Sequence, residues 1–178
     1  EEAPVVRAGE VPAAAPRGLP RRGRLLAGER VARVPRWPAA IDQATRERLP
    51  APARAAVERS PVPVLVPADP GWLSSTQVFP GSWGYALAAR DGEVTLALHA
   101  SRIATIVPGV GVATGTHRVR GVDGFLSVNE GIRTASWIEH GVAYSLDLEC
   151  RDPQACSEAA LRAAVEGLVY VGGVGGGA

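Results

Sequence analysis

Val142-Ala143-Tyr144-Ser145-Leu146-Asp147-Leu148-Glu149-Cys150 alternates without a break, with Tyr144, Leu146, Leu148 and Cys150 on one face and Ser145, Asp147 and Glu149 on the other. Successive side chains of a strand point to opposite faces, so this stretch predicts a strand with one core face and one wet face. After five intervening residues comes Cys156, and then Ser157, a good helix N-cap. Leu161, Val165 and Leu168 fall on one face of the helix that Ser157 would open, and Gly167 weakens its end. A strand that hands over to a helix across two cysteines reads as the corner of a small domain.

Working back from that corner, Ile132–Ile138 pairs with 142–149 around Glu139-His140-Gly141, read as a three-residue loop with the glycine in the left-handed position. Asp123-Gly124 reads as a second turn, joining Thr116–Val122 to Phe125–Val128. Arg90-Asp91-Gly92-Glu93 reads as a third, between Trp83–Ala89 and Val94–Ala100. Pro63–Pro67 is a short strand clipped by proline at both ends. Pro38 and Pro52 suit the first turns of two short helices, over 39–48 and 52–59. The expected fold is α+β: a curved antiparallel meander of about six to eight strands, short helices before it and one after it.

Residues 1–38 read as an extended Pro/Arg-rich arm, because Pro4, Pro12, Pro16, Pro20, Pro35 and Pro38 deny it long helices and central strands. Within residues 17–36, Arg17, Arg21, Arg22, Arg24, Arg30, Arg33 and Arg36 are set against Glu29 alone, and Trp37 follows. Such a basic strap beside a mildly acidic body is a candidate partner-binding arm. The expected organisation is therefore the arm at 1–38, one domain at 39–171 and a flexible Gly-rich tail at 172–178. Formal net charge over the 178 residues is only +1, and all 19 basic side chains are arginine. Without a global field or aromatics interleaved with the arginines, a nucleic-acid partner is not expected. The apolar run around 62–68 carries prolines and is too short to span a membrane.

Chemistry-bearing residues are few. Cys150 and Cys156 are expected to form a disulfide worth about 2–2.5 kcal/mol on a chain-entropy estimate, the alternative being two buried thiols. Two thiolates without a neighbouring histidine would leave a zinc shell half empty, and the spacing is not that of a redox Cys-x-x-Cys pair. His99, His117 and His140 have no metal-ligand spacing, and Glu130 and Glu139 read as solvated hairpin ends. Gly109, Gly111 and Gly115 precede a strand rather than the helix a phosphate loop requires. Gly81-Ser82-Trp83-Gly84 lacks the frame of a nucleophile elbow. Trp72, Trp83, Trp137, Tyr85 and Tyr144 could stack on a ligand but suit core or rim packing. No cofactor, metal or catalytic residue is expected.

Asn129-Glu130-Gly131 and the run Trp137-Ile138-Glu139-His140-Gly141-Val142-Ala143-Tyr144-Ser145-Leu146, with Cys150, Cys156 and a following helix, resemble a group of uncharacterised exported bacterial proteins. The same hairpin resembles periplasmic domains related to lipoprotein carriers and sigma-factor regulators. The resemblance spans at most residues 60–172 and is firmest over 129–170. It implies an exported, periplasmic location and an open half-barrel of the kind that carriers use to hold acyl chains. An opening of Glu1-Glu2-Ala3-Pro4 is what signal-peptide removal would leave. The expected function is non-enzymatic: a scaffold that contacts an envelope or membrane protein through residues 1–38. The alternative is a periplasmic module that handles a hydrophobic ligand or a lipoprotein.

Overall fold

A computed structural model describes residues 28–107, 109, 113–152 and 156–174. Its elements are, in chain order, β1 (Glu29–Ala32), α1 (Gln43–Arg48), α2 (Ala51–Val57), β2 (Val64–Pro67), α3 (Pro70–Leu73), β3 (Gln77–Pro80), β4 (Gly84–Asp91), β5 (Val94–Ser101) and β6 (Ile103–Ile106). They continue with β7 (His117–Val119), β8 (Val122–Asn129), β9 (Ile132–Glu139), β10 (Val142–Cys150), α4 (Glu158–Glu166) and β11 (Leu168–Gly172). Seven strands form one antiparallel sheet in the order β3-β4-β5-β10-β9-β8-β7, with β1–β6 and β2–β11 as separate antiparallel pairs. The protein is thus mostly β, with four short helices among the described residues.

The meander owes its regularity to three two-residue turns. Arg120-Gly121, Glu130-Gly131 and His140-Gly141 all have positive φ at both residues, between +49° and +84°. That is the signature of a type I′ turn, whose twist matches that of the strands it joins. The turns recur every ten residues, so that eight-residue strands alternate with two-residue loops. His140-Gly141 is therefore a two-residue turn, not the three-residue loop expected, because Glu139 still pairs with Val142.

Asp123-Gly124 is likewise not a turn. Both residues lie inside β8, paired with Arg118 and His117, and Arg120-Gly121 makes the reversal. Gly124 serves a close approach, since a Cβ there would come within 2.6 Å of the Ser136 carbonyl oxygen. Asp123 instead accepts from Arg118 at 2.8 Å. The hairpin read at Arg90-Asp91-Gly92-Glu93 forms with a shorter turn: Arg90 and Asp91 stay in β4, paired with Thr95 and Val94, and Gly92-Glu93 make the reversal.

The inner face of the sheet carries the core. Trp137, Tyr144, Leu146, Leu148, Leu161 and Val165 are all buried, strand face against helix face, as the alternation and the helical spacing require. Ser157 caps α4 through the Ala160 N–H at 3.0 Å, and Asp42 caps α1 through the Thr45 N–H at 2.8 Å. β2 lies over the inner face, held by tyrosines as well as by β11. The Tyr85 hydroxyl accepts from the Leu65 N–H at 2.8 Å and donates to the Leu65 carbonyl at 3.2 Å. Tyr144 donates to the Pro63 carbonyl at 3.0 Å. These bonds satisfy backbone groups that a two-stranded pair buried on a sheet would otherwise leave orphaned.

Both chain boundaries differ from the sequence reading. Residues 28–38, assigned to the arm, lie on the domain: β1 pairs with β6, the Arg33 N–H donates to the Arg102 carbonyl and the Arg36 N–H to the His140 carbonyl, each at 2.8 Å. Pairing needs only backbone groups, so scattered apolar residues did not announce it. Gly172 to Val174, assigned to the tail, belong to the domain as well. Gly172 ends β11, the Trp37 ring lies against Gly173, and the Val174 N–H donates to the Ser60 carbonyl at 2.7 Å. Arg17, Arg21, Arg22 and Arg24 lie outside the described residues.

Leu146 is fully buried on the central strand β10. Leu146→Ala is expected to cost about 2–5 kcal/mol in a denaturant titration, and a loss below about 1 kcal/mol would mean that this face is not the core face.

Candidate functional site

Helix α4 lies across the inner face over β9 and β7, leaving the β5–β10 end of that face less fully covered. Its flank on that side is made of small residues, Ala160, Ala163, Ala164 and Gly167. Across from them stand Val94, Leu96, Leu148 and Cys150 of the sheet and Trp72 of α3. The space between is a cleft of about 350 Å³, within the usual range for small-molecule sites. Its apolar wall is partly open, since Trp72, Val94, Ala160 and Ala164 are only half-buried. Asp69, at the mouth, is the one charged side chain among the described residues that line it, and its Oδ1 accepts the Gly71 N–H that opens α3. The cleft can therefore take an apolar group, with the Asp69 carboxylate at its mouth.

Both ends of α4 are fastened. At its start, Cys150–Cys156 form a disulfide with Cα atoms 5.6 Å apart, an ordinary separation for a bridge. Arg133 donates to the Cys156 carbonyl. At its end, the Arg120 guanidinium donates to the Val165 and Leu168 carbonyls at 3.1 and 2.8 Å, while the Arg120 N–H donates to Glu166. Arg120 also pairs with Glu139 at 2.9 Å, both side chains being less than one-fifth exposed. Trp137 donates to the same carboxylate at 3.1 Å, and the Arg120 guanidinium stands 5.7 Å from the centre of the Tyr170 ring. Glu139, read as a solvated hairpin end, is in fact the acceptor of a part-buried polar junction.

The remaining candidates are scattered. His99 stands exposed on the outer sheet face, and His117 opens β7 beside the Thr116 hydroxyl, 2.9 Å away. His140 sits in its turn, edge-on to Tyr170 and 4.0 Å from Glu139. Gly111 lies outside the described residues, as do residues 153–155 of the 150–156 loop. Trp137 stacks on Tyr144 in the core at a centroid distance of 5.4 Å, whereas Trp83 is half-exposed under Arg102. Arg30, Arg33 and Arg36 point to solvent, and Trp37 packs against the domain, so the described part of the strap forms no continuous basic surface away from it. The cleft itself was missed in the sequence. Its signal is the trio of alanines three and four residues apart beside Leu161 and Val165, a stripe where bulkier side chains would have closed the gap. Compared with known proteins, the chain matches no family model, no curated protein and no solved structure.

Burial pushes the hydroxyls of Tyr85, Tyr144 and Tyr170 well above the ordinary tyrosine value, and the nearby Glu139 carboxylate raises Tyr170 further. These are all three tyrosines of the chain, and no lysine titrates alongside them. With folded pKa values raised above an unfolded value of about 10, the three contribute fully below pH 10 and lose that contribution as the pH rises beyond it. Each should then cost about 1.4 kcal/mol per pH unit. Phenolate absorbance is expected to stay flat past pH 10 and rise for all three tyrosines together at alkaline unfolding. A gradual titration centred near pH 10 would contradict their burial.

Proposed function

We propose that this domain is an exported, non-enzymatic binding module that takes an apolar group, such as an acyl chain, into the cleft under α4. The observation that carries the reading is the cleft's apolar wall, kept open by Ala160, Ala163 and Ala164 while both ends of the helix are tied down. The disulfide and the resemblance to periplasmic carrier-like domains support an oxidising compartment. Among the described residues, no helix is long and apolar enough to cross a membrane. The non-enzymatic reading is supported by hydroxyls and carboxylates already engaged in structural bonds: Thr134 to Asp147, Ser136 to Ser145, and Trp137 and Arg120 to Glu139.

The alternative, a scaffold that reaches an envelope protein through residues 1–38, has less to stand on. Residues 28–38 run along the domain itself, which shortens any free reach by that stretch.

Titration with a fluorescent fatty-acid analogue tests the proposal. Ala160→Leu and Ala164→Leu fill the cleft from a half-buried helix flank and should weaken binding at least about tenfold, the equivalent of ~1.4 kcal/mol, without lowering the melting temperature. Saturable binding that both substitutions leave unchanged, or no binding at all, would overturn the reading.

A further inference from the structure

We propose that the outer face of the seven-stranded sheet is a homodimer interface, two copies meeting face to face about a twofold axis parallel to the strands. Helix α4 and the β2–β11 pair cover the inner face, and no described element covers the outer one. Its floor is small, with Ala86, Ser136 and Ser145 partly exposed, yet its margins carry large apolar side chains. Phe79 is 55% exposed, Phe125 42% and Ile138 48%. Apolar margins around a floor of small side chains are costly to leave in water and suit a second flat surface.

Strand register fixes how two such faces would meet. Phe79, Ala86, His99, Ser145, Ser136 and Phe125 form one row across β3, β4, β5, β10, β9 and β8. An axis midway, between β5 and β10, carries β3 onto β8. It therefore sets Phe79 of one copy against Phe125 of the other, twice. The same axis carries β9 onto β4, bringing Ile138 to Gly84 of the second copy, beside the half-exposed Trp83. It also faces His99 with Ser145 of the second copy, one row from that copy's Asp147, and sets no carboxylate of the face against another. Five strand spacings of about 4.8 Å and strands about 26 Å long give each copy roughly 600 Å². Two such faces clear the ~1,000 Å² expected of a specific interface. Aligned packing of twisted sheets is an established way to bury them.

The axis makes a distinctive prediction. Light scattering on the full chain at about 100 µM should give twice the 18.5 kDa chain mass. Phe79→Lys and Phe125→Glu, each on an exposed site, should separately give monomers with unchanged circular dichroism. Mixing the two variants should restore a dimer. One of its two contacts then sets the introduced ammonium at position 79 against the introduced carboxylate at position 125, and the other is the native pairing of Phe125 with Phe79. A native monomer, or a dimer that survives either single substitution, would overturn the proposal. Failure of the mixture to associate would overturn the axis, since faces pairing Phe79 with Phe79 cannot be rescued this way.

Discussion

The far end of α4 depends on one largely buried guanidinium. Arg120 sits at the first position of a type I′ turn with φ of +49°, which aims its side chain from the end of β7 back under the end of the helix. There it engages a carboxylate from β9, two carbonyls from the helix end and the start of β11, and the face of a β11 ring. A buried ion pair yields little net stability when compared with apolar residues of the same shape, but removing one partner leaves the other charge stranded, at about 3–5 kcal/mol. Its value here is positional: four elements share a single point.

The disulfide does the matching work at the other end of the helix. With Cys156 tied to the last residue of β10 and Arg120 holding the carbonyls at the far end, the helix cannot settle further onto the sheet. Leu161 and Val165 fill the space beneath it, but the alanines on the adjoining flank do not reach Val94, Leu96 and Leu148. The cleft is thus the geometric remainder of two fixed ends and a flank of short side chains. The proposed binding role rests on that remainder rather than on any single residue.

Much of this architecture is legible in the sequence wherever a local rule acts alone. Two-residue alternation marked the inner face of β10, helical spacing marked the buried face of α4, and Ser157 marked its start. Glycine signals were less reliable because glycine serves two purposes. Gly121 supplies a positive φ in a turn, whereas Gly124 relieves a close approach inside a strand, and only the neighbouring strand distinguishes them. The ten-residue recurrence of turns is visible in Arg120-Gly121, Glu130-Gly131 and His140-Gly141, whereas Asp123-Gly124 carries the same turn signal inside a strand. Long-range partners were not legible at all. Nothing near Arg120 in the chain points to Glu139 or to Leu168, and nothing near Arg33 or Arg36 points to the carbonyls of Arg102 and His140.

The most direct test of this account is amide hydrogen exchange on Arg120→Met, which keeps much of the side-chain volume and removes the charge. The account predicts that amides of α4 and β11 lose protection by several orders of magnitude while those of β4, β5 and β10 keep theirs, because the junction ties the helix down without building the sheet. Unchanged protection in α4, or an equal loss throughout the sheet, would contradict it.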